Sequence, residues 1–129
     1  IRYGLDDEAA YLKEAYSRVI KIAQIETYEG YKNLDEILAV DGIDSLFIGM
    51  ADMSRSLAGI PGSPKPDSVF SDICKRTRLA GRTLGCAIGA SGEDAQRVVE
   101  KGVQWVVFGQ DSRILAEGLR KNLEAVSGV

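Results

Sequence analysis

Four short apolar runs, each followed by a stretch with helical character, constrain this chain more than any other feature. They cover residues 19–25, 43–48, 84–88 and 104–108. Runs this short and this largely apolar read as strands buried on both faces, the pattern of parallel sheets. Alternation with helices predicts parallel strands joined by right-handed crossovers. A helix over about 6–18 precedes the first strand, with Leu12, Ala15, Tyr16 and Val19 on one face. The expected order is therefore one helix followed by four βα units.

Local signals place the other elements. Asn33, Leu34 and Asp35 open a helix running to about residue 40, and Asp41-Gly42 stops it. The segment 50–66 holds all the prolines of the chain and cannot be regular throughout. Pro66-Asp67 starts a helix whose inward face is Val69, Phe70, Ile73, Thr77 and Ala80, and Gly81 ends it. Residues 92–101 form a further helix capped by Gly102. The last helix spans about 112–126, with Leu115, Leu119, Leu123 and Val126 as its buried stripe and Asp111 as its cap. Trp105 is expected in the core, and Lys75, Arg76, Arg78 and Arg82 on a solvated helix face.

At 129 residues the chain can form one domain with a core. Two architectures fit the alternation, an open doubly wound sheet and a slice of a closed (β/α)8 barrel. A complete barrel takes ~250 residues, so only half of one is available here. A net charge of −3 gives no reason to expect nucleic acid or an acidic membrane as partner. No apolar run reaches the ~20 residues of a membrane span, and the cytoplasm is the expected location. Cys74 and Cys86 lack C-x-x-C spacing and are expected as buried free thiols. Histidine is absent, which excludes Ser-His or Cys-His nucleophiles and histidine-bound zinc within the chain. A general base must then be a carboxylate, a lysine, metal-bound water or a group from elsewhere.

Two carboxylates stand where chemistry is expected. Glu26 closes the first strand run and Asp52 follows the second. In folds of this kind, groups at the carboxyl ends of strands face the ligand. A carboxylate is costly to bury unpaired there, and a divalent cation would supply the missing charge. Strand alternation points Gln24 and Glu26 the same way. Glu26 would then be a metal ligand, with Gln24 on a metal-bound water or substrate oxygen. The plainer reading is that Glu26 caps the next helix or pairs with a lysine. After the second strand, Gly49 lets the backbone approach a ligand. The amides of Ala51 and Asp52 can face an anionic group if a helix opens there, whereas the plainer reading of Asp52 is a helix N-cap. Two protein carboxylates completed by water and substrate suit Mg²⁺ or Mn²⁺, with Co²⁺ as a further candidate.

These residues carry a resemblance. Gln24-Ile25-Glu26-Thr27, Asn33-Leu34-Asp35-Glu36-Ile37, Val40-Asp41-Gly42-Ile43-Asp44, Phe47-Ile48-Gly49-x-Ala51-Asp52-x-Ser54 and Val106-Val107-Phe108-Gly109-Gln110-Asp111 occur in one consistent order. The chain resembles the class II pyruvate aldolases, the family that includes the 4-hydroxy-2-oxoheptanedioate and 2-dehydro-3-deoxyglucarate aldolases. The resemblance implies α/β architecture, the second half (strands five to eight) of a (β/α)8 TIM barrel. Residues 1–129 would then be a single partial barrel domain, a fragment lacking the N-terminal half.

It further implies reversible retro-aldol cleavage of a 4-hydroxy-2-oxo acid to pyruvate and an aldehyde. Glu26 and Asp52 would be the metal ligands, and Gln24 would lie beside the metal. Gly49, Ala51 and Asp52 would receive the pyruvate carboxylate. The catalytic histidine and a substrate-binding arginine would lie in the other half, so no catalytic base is expected in this chain. The assembly implied is a homo-oligomer with the last helix packed on a neighbouring barrel. Met50 departs from the family's usual proline, and Lys65-Pro66-Asp67 from its common His-Pro-Glu. The competing readings are a citrate-lyase or malyl-CoA-lyase type enzyme and a non-catalytic, self-associating half-barrel.

Overall fold

Apolar strands and amphipathic helices alternate along the chain, and the structure, a computed structural model, describes residues 2–127, apart from the side chains of residues 2, 16 and 127. The elements in order are α1 (Glu8–Arg18), β1 (Ile22–Ile25), α2 (Tyr28–Lys32), α3 (Leu34–Leu38), β2 (Ser45–Ile48), α4 (Met50–Ala58), α5 (Pro66–Leu79), β3 (Thr83–Ile88), α6 (Gly92–Glu100), β4 (Trp105–Phe108) and α7 (Asp111–Ser127). The strands form one parallel four-stranded sheet in the order β1-β2-β3-β4, the order of the chain itself.

Register divides the sheet into two faces. Leu46 pairs with Leu84, and Ile48 with Cys86, and all of these are buried. On that face they meet Leu34, Leu38, Met53, Leu57, Val69, Phe70 and Ile73 from α3, α4 and α5. Burying one such aliphatic side chain stabilises the fold by about 1.5–3 kcal/mol. The opposite face carries a row in which Gln24, Phe47, Gly85 and Trp105 are successive partners across the strands. Trp105, expected in the core, is only half-buried because it belongs to this second face. Its ring stacks on Phe47 at 5.4 Å, and its indole N–H donates to Ser45 Oγ at 2.9 Å. Helices pave one side of the sheet, and the aromatic row lies on the other.

Turn chemistry sets the element ends. Asp7 caps α1, its carboxylate accepting from the amides of Ala9 and Ala10. Gly42 and Gly81 take positive φ at the turns leading into β2 and β3. The first strand is shorter than its apolar run. Val19 is the C-cap of α1, and Val19 and Ile20 are 58% and 73% exposed. On the anticipated face of α1, Leu12 is exposed and Ala15 half-buried, and the Tyr16 side chain lies outside the described residues. The anticipated stripe of α7 is also corrected. Leu115, Leu119, Leu123 and Val126 are 55–86% exposed, because no element among the described residues covers that face. Asp111 is the first residue of α7 rather than its cap, since the Gln110 carbonyl already accepts from Ile114.

Two of the four basic side chains expected in solvent are structural. Arg76 lies between Asp35 at 2.7 Å and Asp72 at 3.4 Å, over the ring of Tyr31. Arg82 donates to the carbonyls of Ile43 and Val40 and so holds the turn at Gly42. Lys75 and Arg78 are exposed as expected. On α5, Val69, Phe70, Ile73 and Thr77 face inward, while Ala80 is the exposed C-cap.

Thr77 is fully buried, and its hydroxyl has no hydrogen-bond partner among the described residues. An unsatisfied buried hydroxyl is destabilising. Thr77→Val, which keeps the shape, is expected to raise the unfolding free energy by about 1 kcal/mol, read from the urea midpoint at unchanged slope.

Cys74 and Cys86 are buried free thiols, as anticipated. Burial pushes both up, Cys74 to about 11. The thiolate is the reactive form, so at pH 8 a thiol reagent is expected to label neither in the native protein and both in urea. The sign follows from the raised value. The contribution of Cys74 to stability is full below the ordinary thiol value of 9.0 and is lost as pH rises through about 11.

Candidate functional site

The site is built where β1 and β2 end. Ile25 and Ile48 are the last paired residues of these strands, and the Gly49 amide continues the ladder by donating to the Ile25 carbonyl at 3.1 Å. One residue beyond Ile25 stands Glu26. Its carboxylate accepts from the Gln24 side-chain amide at 2.5 Å, so these two side chains do point the same way. Glu26 does not cap the next helix. Thr27 does so, its hydroxyl accepting from the Gly30 amide at 3.0 Å.

Gly49 closes this arrangement from the neighbouring strand. A Cβ there would lie 2.8 Å from Glu26 Cβ, 2.9 Å from Gln24 Nε2 and 3.0 Å from Glu26 Oε2. Real Cβ atoms essentially never approach a neighbour that closely, so glycine at 49 lets Gln24 and Glu26 occupy their positions. Gln24 and Glu26 are thus hydrogen-bonded to each other in space that only a glycine at 49 leaves open.

Asp52 and Ala51 enter through α4. Gly49 is the N-cap of that helix and offers no side chain to cap it. Met50, Ala51 and Asp52 are then the first helical residues, whose amides have no partner inside the helix. Asp52 is therefore not the N-cap. It lies in the first turn, where its charge is favourable to the helix dipole, and it pairs with Arg55 at 2.7 Å. Arg55 was not singled out in the sequence, although Asp-x-x-Arg is a helix-compatible pairing once α4 is recognised. Ser56 was also missed. Its hydroxyl accepts from the Tyr28 amide at 3.0 Å and ties the start of α2 to α4.

The large hollows lie beside these residues rather than on them. One of about 720 Å³ is lined by Ala51, Gly89, Ser91, Gly109, Arg113 and Glu117, among others. Another of about 400 Å³ lies among α4, α5 and α6 and includes Met50 and Ser54. Ala51 and Met50 border these spaces, whereas Gln24 and Glu26 line neither. Among the described residues no group of three or more His, Cys, Asp or Glu side chains converges as a metal cluster. Beyond the ends of β1 and β2, Glu26 and Asp52 carry carboxylates, which are hard oxygen donors, the first bonded to Gln24 and the second to Arg55. Among the described residues no helix is long and apolar enough to cross a membrane.

Parallel strands in chain order, joined through helices that pave one face of the sheet, make this an α/β protein wound as in a barrel and not as in a doubly wound sheet. The sequence pattern of the HpcH/HpaI aldolase/citrate lyase family matches residues 7–117, and the chain belongs to that family. A hydroxypyruvate/pyruvate aldolase of Pseudomonas aeruginosa is 37% identical over 115 residues, covering 88% of this chain and 42% of that protein. A 4-hydroxy-2-oxo-heptane-1,7-dioate aldolase of Klebsiella pneumoniae is 37% identical over 110 residues, covering 84% of this chain and 41% of its own length. The crystal structure of an HpcH/HpaI aldolase/citrate lyase family protein from Burkholderia cenocepacia superposes with a TM-score of 0.81 at 26% identity. It covers 91% of this chain and 46% of the Burkholderia chain. The chain thus spans less than half the length of these relatives.

Proposed function

We propose that residues 1–129 form the metal-binding half of a class II aldolase, a partial (β/α)8 barrel acting in reversible cleavage of a 4-hydroxy-2-oxo acid to pyruvate and an aldehyde. The Gln24–Glu26 hydrogen bond, in the space that Gly49 leaves open at the ends of β1 and β2, carries this reading. The residues fit a hard divalent cation. Glu26 and Asp52 offer carboxylate oxygens, and Gly49 leaves open the cradle that a Cβ would fill beside Glu26 Oε2. With two protein ligands, water and substrate complete the shell, which is the habit of Mg²⁺ or Mn²⁺.

Glu26 and Asp52 would hold the cation, and it would supply positive charge against the negative charge developing on the 2-oxo group. Gln24 orients the Glu26 carboxylate through its amide N–H. The free amides of Ala51 and Asp52, at the positive end of α4, receive the carboxylate of the 2-oxo acid. Gly49 allows that approach. The chain has no histidine, and the family resemblance assigns the base that moves the proton to the other half of the barrel.

Mn²⁺ calorimetry with and without oxalate tests the reading. Oxalate-enhanced binding is expected in the wild type and absent in Glu26→Ala/Asp52→Ala. A folded wild type that binds no Mn²⁺ in either condition rules the site out.

The exposed apolar stripe of α7 supports assembly with further copies of this chain. Leu119→Glu/Leu123→Glu is expected to lower the sedimentation mass towards that of one chain while leaving the helical circular dichroism unchanged. Retention of the wild-type mass would place any contact elsewhere.

A further inference from the structure

The two carboxylates of the site are met by different partners. Glu26 accepts from a neutral amide, that of Gln24. Asp52 is paired with a full positive charge, Arg55 Nη1 at 2.7 Å. Both members of that pair are solvent-accessible, with side chains 56% and 78% exposed. As a fold-stabilising contact an exposed i,i+3 pair contributes little. Its position, on one of two carboxylates at the strand ends, gives it a larger consequence.

We propose that Arg55 is a built-in competitor for the cation at Asp52, and that it couples cation binding to binding of the anionic 2-oxo acid. The inference rests on Glu26 and Asp52 being the cation's ligands. A divalent ion approaching Asp52 meets a guanidinium already bonded to Oδ1. It must displace that group or bind beside its charge, and either weakens the ion's hold. Once displaced, the guanidinium is hydrated but keeps its charge beside the cation, and an arriving anion offsets that repulsion. A carboxylate is the group its planar fork matches. A dicarboxylate or 2-oxo acid on the cation supplies that charge one helical turn from Arg55. The anion therefore removes the competition, and cation and anion favour each other reciprocally. Arg55 is a positioning and specificity residue in this scheme, without contact to reacting atoms.

Calorimetry of Mn²⁺ binding to wild type, Arg55→Ala, Arg55→Lys and the control Arg78→Ala, with and without oxalate, tests this. Arg78 is an exposed cation in the last turn of α5, the end of that helix that leads to the start of β3. At low ionic strength Arg55→Ala is expected to bind Mn²⁺ alone about 3–10-fold more tightly, the scale of one screened charge at contact distance. The difference shrinks at high salt, and the enhancement by oxalate falls by a similar factor. Arg55→Lys keeps the charge and follows the wild type for Mn²⁺ alone, while Arg78→Ala is unchanged in both. Equal Mn²⁺ affinity and equal oxalate enhancement in Arg55→Ala and wild type overturn the inference while leaving the metal site standing. The same gain in Arg78→Ala as in Arg55→Ala also overturns it, because the effect is then one of net charge. Absence of Mn²⁺ binding in every folded variant overturns the site and the inference together.

Discussion

Gly85→Ala is expected to lower the unfolding free energy by about 2–4 kcal/mol, a large loss for adding one methyl group. The cause is the row of side chains on the face of the sheet opposite the helices. Gly85 is the direct partner of Trp105 in the β3–β4 register, and a Cβ at 85 would fall inside the Trp105 indole. The indole cannot retreat cheaply. It is stacked on Phe47 and anchored by its N–H to Ser45. Overpacking of this kind typically costs about 1–3 kcal/mol, and losing the Trp105–Ser45 hydrogen bond adds about 1 kcal/mol. Urea unfolding followed by fluorescence measures it directly, since Trp105 is the only tryptophan. Trp105→Leu in the Gly85→Ala background is expected to recover part of the loss, giving a coupling well outside additivity. A Gly85→Ala protein as stable as the wild type would show that Trp105 does not cross β3.

The second large effect falls on the proposed site. Gly49→Ala is expected to weaken Mn²⁺ binding in the presence of oxalate by about 10–100-fold, the range seen when groups orienting a metal ligand are disturbed. The added methyl would press on Glu26 Cβ, Gln24 Nε2 and Glu26 Oε2, all within 3.0 Å. The Gln24–Glu26 hydrogen bond must then open or the carboxylate must turn away. Because Gly49 is also the N-cap of α4, the same change disturbs the amides of the first turn. The melting temperature separates the two consequences. A variant that melts near the wild-type value yet binds weakly has lost the site alone. Unchanged binding would mean that Glu26 is not held against Gly49 in solution.

Much of this was legible in the sequence, and the failures share physical causes. The expected bounds of β2, β3 and β4 lie within two residues of the observed ones, because buried parallel strands are short, largely apolar runs bounded by glycine or polar residues. α5 was equally clear, opening at Pro66 and closing before Gly81, with positive φ at that glycine. β1 was read too long. Val19 and Ile20 are apolar, yet their exposure shows that hydrophobicity alone does not place a residue inside. α4 was obscured because the segment 50–66 was treated as one unit, whereas its prolines begin only at Pro61, beyond the helix. The cap reading of Asp52 sets the helix start three residues late, since Gly49 is the N-cap. In the site, Gln24 and Glu26 followed from strand alternation. The pairing of Asp52 with Arg55 did not, since it needs the helix first. The α7 stripe was misread for another reason. An amphipathic pattern shows that a face is suited to a partner, and says nothing about which chain supplies it.

The coincidence of sheet order with chain order has a consequence for how the protein is made. Each of β2, β3 and β4 pairs with the strand before it in the chain, so none of these pairings must wait for a later segment. The loop-closure entropy that slows many parallel sheets is divided into short steps, each spanning one helical crossover. A chain emerging from the ribosome can add β2 to β1, then β3 to β2, then β4 to β3, much as repeat proteins grow by neighbouring units. Synthesis and assembly would then run in the same direction, one crossover at a time.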